Sequence, residues 1–295
     1  MGYVIETNNL VKTYGSKIAV DNVSIHIGKG EIYGLIGKNG AGKTTLMKTV
    51  LGLTFQNGGE IRLFESNELN LQRARIGSLI ESPGLYPSET AYNNLKRFGM
   101  LTGSTDEEIL EILKLVGLEG AGKKKVKAFS LGMKQRLGIA IALLGNPELL
   151  VLDEPVNGLD PMGIKEVRDI ILELNGKGVT VFISSHLLDE LGKIATKFGI
   201  MRDGALVEEI TRDDLISACG SSIEISVDDP EAAKRVIEEN FNSADVRIQG
   251  KTVLVGGDSV STAEINKVLS LAGISVSELK HENISLEDFF IKRMG

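Results

Sequence analysis

The 295-residue sequence predicts an α/β chain whose larger part carries a mostly parallel sheet, followed by a small α+β part. Three observations carry that reading. The apolar runs Ile32 to Ile36, Leu149 to Leu152 and Val179 to Ser184 read as buried strands. They alternate with helical patterns, and such alternation implies parallel strands covered on both faces. Between the first run and its helix stands Gly37-Lys38-Asn39-Gly40-Ala41-Gly42-Lys43-Thr44, a Gly-x4-Gly-Lys-Thr loop. Beyond Cys219-Gly220-Ser221 the order becomes strand, helix, strand, strand, helix, strand.

Taken along the chain, Tyr3 to Lys12 and Ile18 to Ile27 predict two strands separated by a turn at Gly15-Ser16. Gly28-Lys29-Gly30 then leads into the strand that feeds the glycine-rich loop, and Thr45 to Leu51 reads as the helix after it. Gly58-Gly59 precedes a strand over Glu60 to Phe64, and Ile76 to Ile80 predicts another. From Ser88 to Leu144 the pattern turns helical, with Ile109, Ile112, Leu113 and Val116 at three- and four-residue spacing. Thr105-Asp106-Glu107-Glu108 fits a capped helix start. After Pro147 come strand Leu149–Leu152, helix Ile164–Leu174, strand Val179–Ser184, a helix from Leu187, and strands Phe198–Met201 and Ala205–Ile210. The closing part places strands at Ile223–Val227, Val246–Ile248, Val253–Val255 and Ser275–Leu279, with helices Pro230–Asn240 and Thr262–Leu271. That is the βαββαβ order of a ferredoxin-like sandwich, and a last helix is predicted over Leu286–Met294. The domains expected are therefore 1–218, with a helical subdomain near 86–146, and 221–295.

Composition excludes several functions. No run of 18 apolar residues exists, and the first residues lack the charged and apolar regions of a secretion signal, so no membrane span is expected. The single Cys219 forms no internal disulfide, which fits a reducing cytoplasm. Residues 219–295 carry 13 Asp/Glu against 8 Lys/Arg within a net charge of −7. This acidic end argues against docking on nucleic acid. The basic run Lys123-Lys124-Lys125-Val126-Lys127 is expected to be a solvated loop, and His26 and His281 to be structural or solvated.

The glycine-rich loop sits where a phosphate-binding loop must sit, between a strand and a helix. Backbone N–H groups of Gly37, Asn39, Gly40, Ala41, Gly42 and Thr45 would face the phosphates at a helix N-terminus. Lys43 would reach the β- and γ-phosphates, and the Thr44 hydroxyl would hold Mg²⁺. The second half of the site is Leu149-Leu150-Val151-Leu152-Asp153-Glu154-Pro155, a buried strand ending in two carboxylates. Strand carboxyl ends are where α/β sheets bind ligands. Asp153 is assigned to the Mg²⁺ shell, and Glu154 to orienting and deprotonating an attacking water.

Over residues 3–215 the chain resembles the nucleotide-binding subunit of ATP-binding-cassette (ABC) transporters, a P-loop ATPase fold. Phe129-Ser130-Leu131-Gly132-Met133-Lys134-Gln135-Arg136 is similar to the family's signature segment, Gly158-Leu159-Asp160 to its D-loop and Ser184-Ser185-His186 to its switch-histidine segment. Tyr14 stands where the family stacks an aromatic on adenine. The resemblance implies that Ser130, Gly132 and Asp160 contribute to ATP binding and His186 to catalysis. Ser130 and Asp160 also read as helix caps. Two departures stand out. Leu131 and Met133 replace the family's Gly and Gln, and Glu81 replaces a loop glutamine. An ionised Glu81 only accepts hydrogen bonds and adds a negative charge near Mg²⁺, so it is a candidate metal ligand.

Glu81 with the following Ser-Pro-Gly-Leu-Tyr-Pro, and the end Ile284-Ser285-Leu286-Glu287-Asp288-Phe289-Phe290, resemble ATPases of exporters for lantibiotic self-immunity and bacitracin resistance. The resemblance implies ATP hydrolysis by a homodimer, bound through a separate integral membrane permease to the inner face of the cell membrane. An importer ATPase and a nucleic-acid-associated cassette ATPase are the alternatives. The second is disfavoured because only 108 residues separate Thr44 from Asp153, without a heptad array.

Overall fold

The computed structural model describes residues 2–218, 221–241, 245–250, 252–256, 261–283, 289–290 and 293. It forms two units, one running to Arg212 and rejoined by Arg293, the other covering Asp213–Lys292. The division thus falls earlier than the expected 218/221 boundary. Arg293 belongs with the first unit, where its guanidinium pairs with Glu208.

In chain order the first unit opens with β1 (Tyr3–Tyr14), β2 (Lys17–Val23), β3 (His26–Gly28), β4 (Ile32–Ile36), α1 (Lys43–Val50) and β5 (Gly58–Leu63). β1 pairs antiparallel with β2, β3 and β5. The single strand expected over Ile18–Ile27 is broken in two, and Thr7 is the reason. Its fully buried hydroxyl donates to Val23 O at 3.0 Å and accepts from Ile25 N at 3.0 Å, standing in for ladder bonds between strands.

The unit continues with α2 (Leu69–Arg73), β6 (Ile76–Leu79), α3 (Ala91–Thr102), α4 (Asp106–Leu115), α5 (Leu131–Ala142) and β7 (Leu149–Asp153). It ends with α6 (Pro161–Gly176), β8 (Thr180–Ser185), α7 (Leu188–Gly192), β9 (Lys197–Arg202) and β10 (Ala205–Thr211), while α8 (Arg212–Ala218), apart from Arg212, belongs to the second unit. The short α2 was not expected, and it buries no side chain that would have left a sequence pattern. The core sheet has the order β10-β9-β4-β8-β7-β6, parallel except for the β9–β10 pair. Leu46, Met47 and Val50 of α1 lie in a buried cluster with Ile5 and Ile27 of the antiparallel sheet and Leu35, Val151 and Phe182 of the core sheet. Helix α1 is therefore clamped between two sheets, which fixes the loop that precedes it.

A polar joint also ties the sheets. Glu209 on β10 accepts from the Tyr33 hydroxyl at 2.9 Å and lies 2.8 Å from His26 Nδ1 on β3. Burial, reinforced by Glu209, pushes the Tyr33 hydroxyl well above its usual pKa, so it stays a donor. His26, which had no partner in the sequence, finds one here.

Helix starts follow cap chemistry. Thr105 and Glu108 form a capping box on α4, Ser130 caps α5, and Asp160 with Pro161 at the first helical position starts α6. α5 lies close over β6, so close that a Cβ on Gly77 would fall 1.8 Å from Ala142 O.

The second unit carries β11 (Ser221–Val227), α9 (Pro230–Asn240), β12 (Asp245–Gln249), β13 (Thr252–Gly256), α10 (Thr262–Leu271) and β14 (Val276–Asn283). Its antiparallel sheet has the order β12-β13-β11-β14. Ile223, Ile225, Val253 and Val255 of the sheet form one core with Ala233 and Ile237 of α9 and Ile265 and Leu269 of α10. Cys219 and most of the helix expected over Leu286–Met294 lie outside the described residues. Among the described residues no helix is long and apolar enough to cross a membrane.

Candidate active site

β4 is buried throughout and delivers the chain directly into the glycine-rich loop. Gly42 has φ 102°, and a Cβ there would meet Ala19 O at 2.3 Å, so only glycine lets β2 lie against the loop. The loop opens into a cleft of about 220 Å³ lined by Lys17, Ala19, Asn39 to Thr45 and Glu154. Lys43 is buried, and its Nζ donates to Gly37 O at 2.7 Å, which holds the ammonium over the loop.

The ends of β7 and β8 supply the rest. Their register sets Asp153 opposite Ser184. The Ser184 hydroxyl donates to Asp153 Oδ1 at 2.6 Å and accepts from Glu154 N at 2.9 Å. Asp153 Oδ2 accepts from the Thr44 hydroxyl at 2.7 Å. Glu154 takes a left-handed φ of 49°, which turns its carboxylate away from the strand direction. Glu154 Oε2 lies 2.7 Å from His186 Nδ1. Glu154 Oε1 is 3.2 Å from Lys43 Nζ, yet without the geometry of a hydrogen bond, and it has no other partner among the described residues. A shielded carboxylate oxygen left without a donor is costly.

The family described as ABC transporter matches residues 20–157. The bacitracin transport ATP-binding protein BcrA of Enterococcus faecalis is 42% identical over 100% of this chain and 97% of its own. The chain belongs to the ABC transporter family. The lantibiotic transport ATP-binding protein SrtF of Streptococcus pyogenes is 46% identical over 70% of this chain and 90% of its own. A solved dimeric, post-hydrolysis ATP-binding cassette, MJ0796 bound to ADP and Pi, superposes with a TM-score of 0.64 at 26% identity. That match covers 70% of this chain and 98% of the solved one. As an ABC transporter subunit, the chain is an ATP-binding ATPase.

The residues present fit Mg²⁺. Among the described residues no group of three or more His, Cys, Asp and Glu could cage a metal alone. What exists is one hydroxyl, Thr44, hydrogen-bonded to one carboxylate, Asp153. Mg²⁺ on nucleotides is held in this way, by one or two protein oxygens with phosphate oxygens and water completing the shell.

The other expected ABC residues fall in different places. Tyr14 is half exposed on the β1–β2 hairpin, with Lys12 Nζ 4.8 Å over its ring. Ser130 accepts from Met133 N at 3.2 Å, and Asp160 accepts from Gly163 N at 2.8 Å. Neither they nor Gly132 line the phosphate cleft of their own chain. Glu81 has a left-handed φ of 61°, and its exposed carboxylate sits 2.5 Å from Lys48 Nζ on α1. The carboxylate is thus drawn to Lys48, though Glu81 also borders a cleft of about 580 Å³ shared with Thr44, Asp153 and Glu154.

The sequence reading missed what Ser184 and Lys48 do, because both bonds depend on strand register and loop path. Ser184→Ala removes a donor to Asp153 and leaves Glu154 N without its partner. The expected result is a loss of about 1–3 kcal/mol at the site. It would be read as a turnover roughly ten-fold or more below wild type and a raised Mg²⁺ requirement. Unchanged Mg²⁺ dependence would show that Asp153 needs no such support.

Proposed function

We propose that this ABC ATPase works as a homodimer beneath a separate membrane permease, at the inner face of the cell membrane, and powers export of a peptide antibiotic. The class inferred is that of bacitracin and the lantibiotics, with resistance as the outcome. One observation carries the cargo class: similarity to a bacitracin transport protein runs the full length of the chain, through the second unit as well as the ATPase unit. The second unit, Asp213–Lys292, is assigned an accessory or regulatory role.

The homodimer follows from incompleteness. Ser130 and Gly132 do not line the phosphate cleft of their own chain, which supports a second copy bringing them. The capped N-terminus of α5 then offers its free N–H groups and the Ser130 hydroxyl to the γ-phosphate. Asp160, capping α6, belongs at the same contact, and Tyr14 at the adenine. Thr44 and Asp153 would hold Mg²⁺, which when bound would offset charge on the phosphate oxygens. Glu154 takes a proton from water as that water attacks the γ-phosphorus. The bond from phosphorus to the bridging oxygen breaks, leaving ADP and phosphate. His186 holds Glu154 in place through Oε2, while the Lys43 ammonium stays beside Oε1 and the transferred group. Product charge repulsion then loosens the closed dimer, and the permease follows that motion.

The test is survival. Cells carrying the chain with its permease should tolerate bacitracin or a lantibiotic at concentrations that kill cells carrying the Glu154→Gln variant. Equal sensitivity would reject the cargo class, and peptide accumulation inside the cells would favour the importer reading. In the same cells, Glu81→Gln should reduce peptide tolerance more than it weakens ATP affinity, because the exposed Glu81 carboxylate pairs with Lys48 rather than with the phosphate cleft. Equal losses in both would place Glu81 on the metal.

A further inference from the structure

We propose that Lys17 is a nucleotide-binding residue that attracts the α-phosphate end of the bound nucleotide. The inference rests on the ATPase reading above and deepens it. Lys17 opens β2 directly across the hairpin from Tyr14. It lines the same phosphate cleft as Asn39, Lys43, Thr45 and Glu154. Its neighbours' ammonium groups are engaged: Lys43 on Gly37 O, Lys48 on Glu81 and Lys12 on Phe55 O. The ammonium of Lys17 has no hydrogen bond or ion pair among the described residues. It is a cation beside an anion-binding loop with no acid of its own.

The stem that carries it is fixed against the loop. Asp21 N on β2 donates to Gly204 O at 2.8 Å, and Gly204 N donates to Ala41 O at 3.1 Å. Ala19 O abuts Gly42. The cleft therefore has a direction. Lys43, Thr44 and Glu154 mark the end where the γ-phosphate reacts, and the Tyr14 hairpin marks the base end. A nucleotide laid between them passes its α-phosphate by Lys17. Lysine suits this place, being a compact charge on a flexible stem that follows a phosphate without imposing geometry.

The experiment is calorimetric titration of the full chain, wild type and variants, with MgATP, ADP and adenosine. Lys17→Ala should weaken MgATP and ADP alike by about 5–20-fold, the scale of one exposed charge-assisted contact. Lys17→Arg should restore most of that, Lys17→Glu should weaken binding further, and adenosine binding should not change. In turnover assays the loss should fall on KM rather than kcat. Wild-type affinity for both nucleotides in Lys17→Ala would overturn the proposal, as would equal weakening of adenosine, which would trace the effect to the hairpin. A wild-type chain that takes up no MgATP would instead overturn the ATPase reading itself.

Discussion

Glu154→Gln should keep MgATP binding while lowering hydrolysis by about 10²–10⁴-fold, the usual scale for losing a general base. The substitution preserves side-chain volume and leaves the amide able to bond His186, so the arrangement at Oε2 survives. What disappears is the anion. Asp153, the remaining carboxylate, already accepts from both Thr44 and Ser184, which leaves His186 as the other group in the cluster able to take the water's proton. Lys43 gains instead of losing, because the carboxylate oxygen 3.2 Å from its ammonium no longer competes with phosphate. Affinity for MgATP is therefore expected to hold or tighten, and the closed homodimer should accumulate. Size-exclusion chromatography with MgATP would show a dimer in the variant where the wild type returns to monomer after turnover. A variant that keeps more than a tenth of wild-type turnover would remove Glu154 from the base role, and His186 would be the next group to examine.

How much of this was legible beforehand depends on whether a feature is local. The phosphate loop and the Asp153-Glu154 pair are contiguous segments with demanding backbone requirements, so the positions of these residues at the strand ends could be read directly. Strand–helix alternation likewise places the parallel sheet, and the caps at Thr105, Ser130 and Asp160 are short-range bonds set by residue type. Features that depend on pairing between distant segments were not readable. Ser184 supports Asp153 only because β7 and β8 align in one register. Thr7 breaks the strand expected over Ile18–Ile27 because β1 carries it under Ser24-Ile25. Glu81 meets Lys48 because a left-handed turn swings it toward α1. In each case a polar side chain resolves a backbone problem set by tertiary structure, and no local pattern encodes that.

Gly77→Ala should destabilise the ATPase unit by about 1–3 kcal/mol or more, as an overpacked core contact. The added Cβ would fall 1.8 Å from Ala142 O and 3.0 Å from Pro147 Cγ. Neither neighbour is a flexible tip: one is backbone at the end of α5, the other a proline ring at the turn into β7. β6 must then move off the sheet edge, or α5 must tilt. Tilting matters for function, because α5 is a 12-residue lever with Ser130 capping its far end. At about 1.5 Å per residue, that end stands roughly 18 Å from Ala142, so a small rotation at Gly77 becomes a larger displacement at the signature segment. Thermal unfolding should fall by about 2–4 °C per kcal/mol for a unit of this size. Turnover per folded molecule should fall further than MgATP binding, since Lys43 and Asp153 do not lie on α5. Gly176→Ala is the matched control: it sits at the end of α6, and a Cβ there meets nothing within 4 Å. Its melting temperature should stay level or rise slightly. If both variants melted with the wild type, the close passage of α5 over β6 would not be a constraint on this fold, and the lever that carries Ser130 would have to be sought elsewhere.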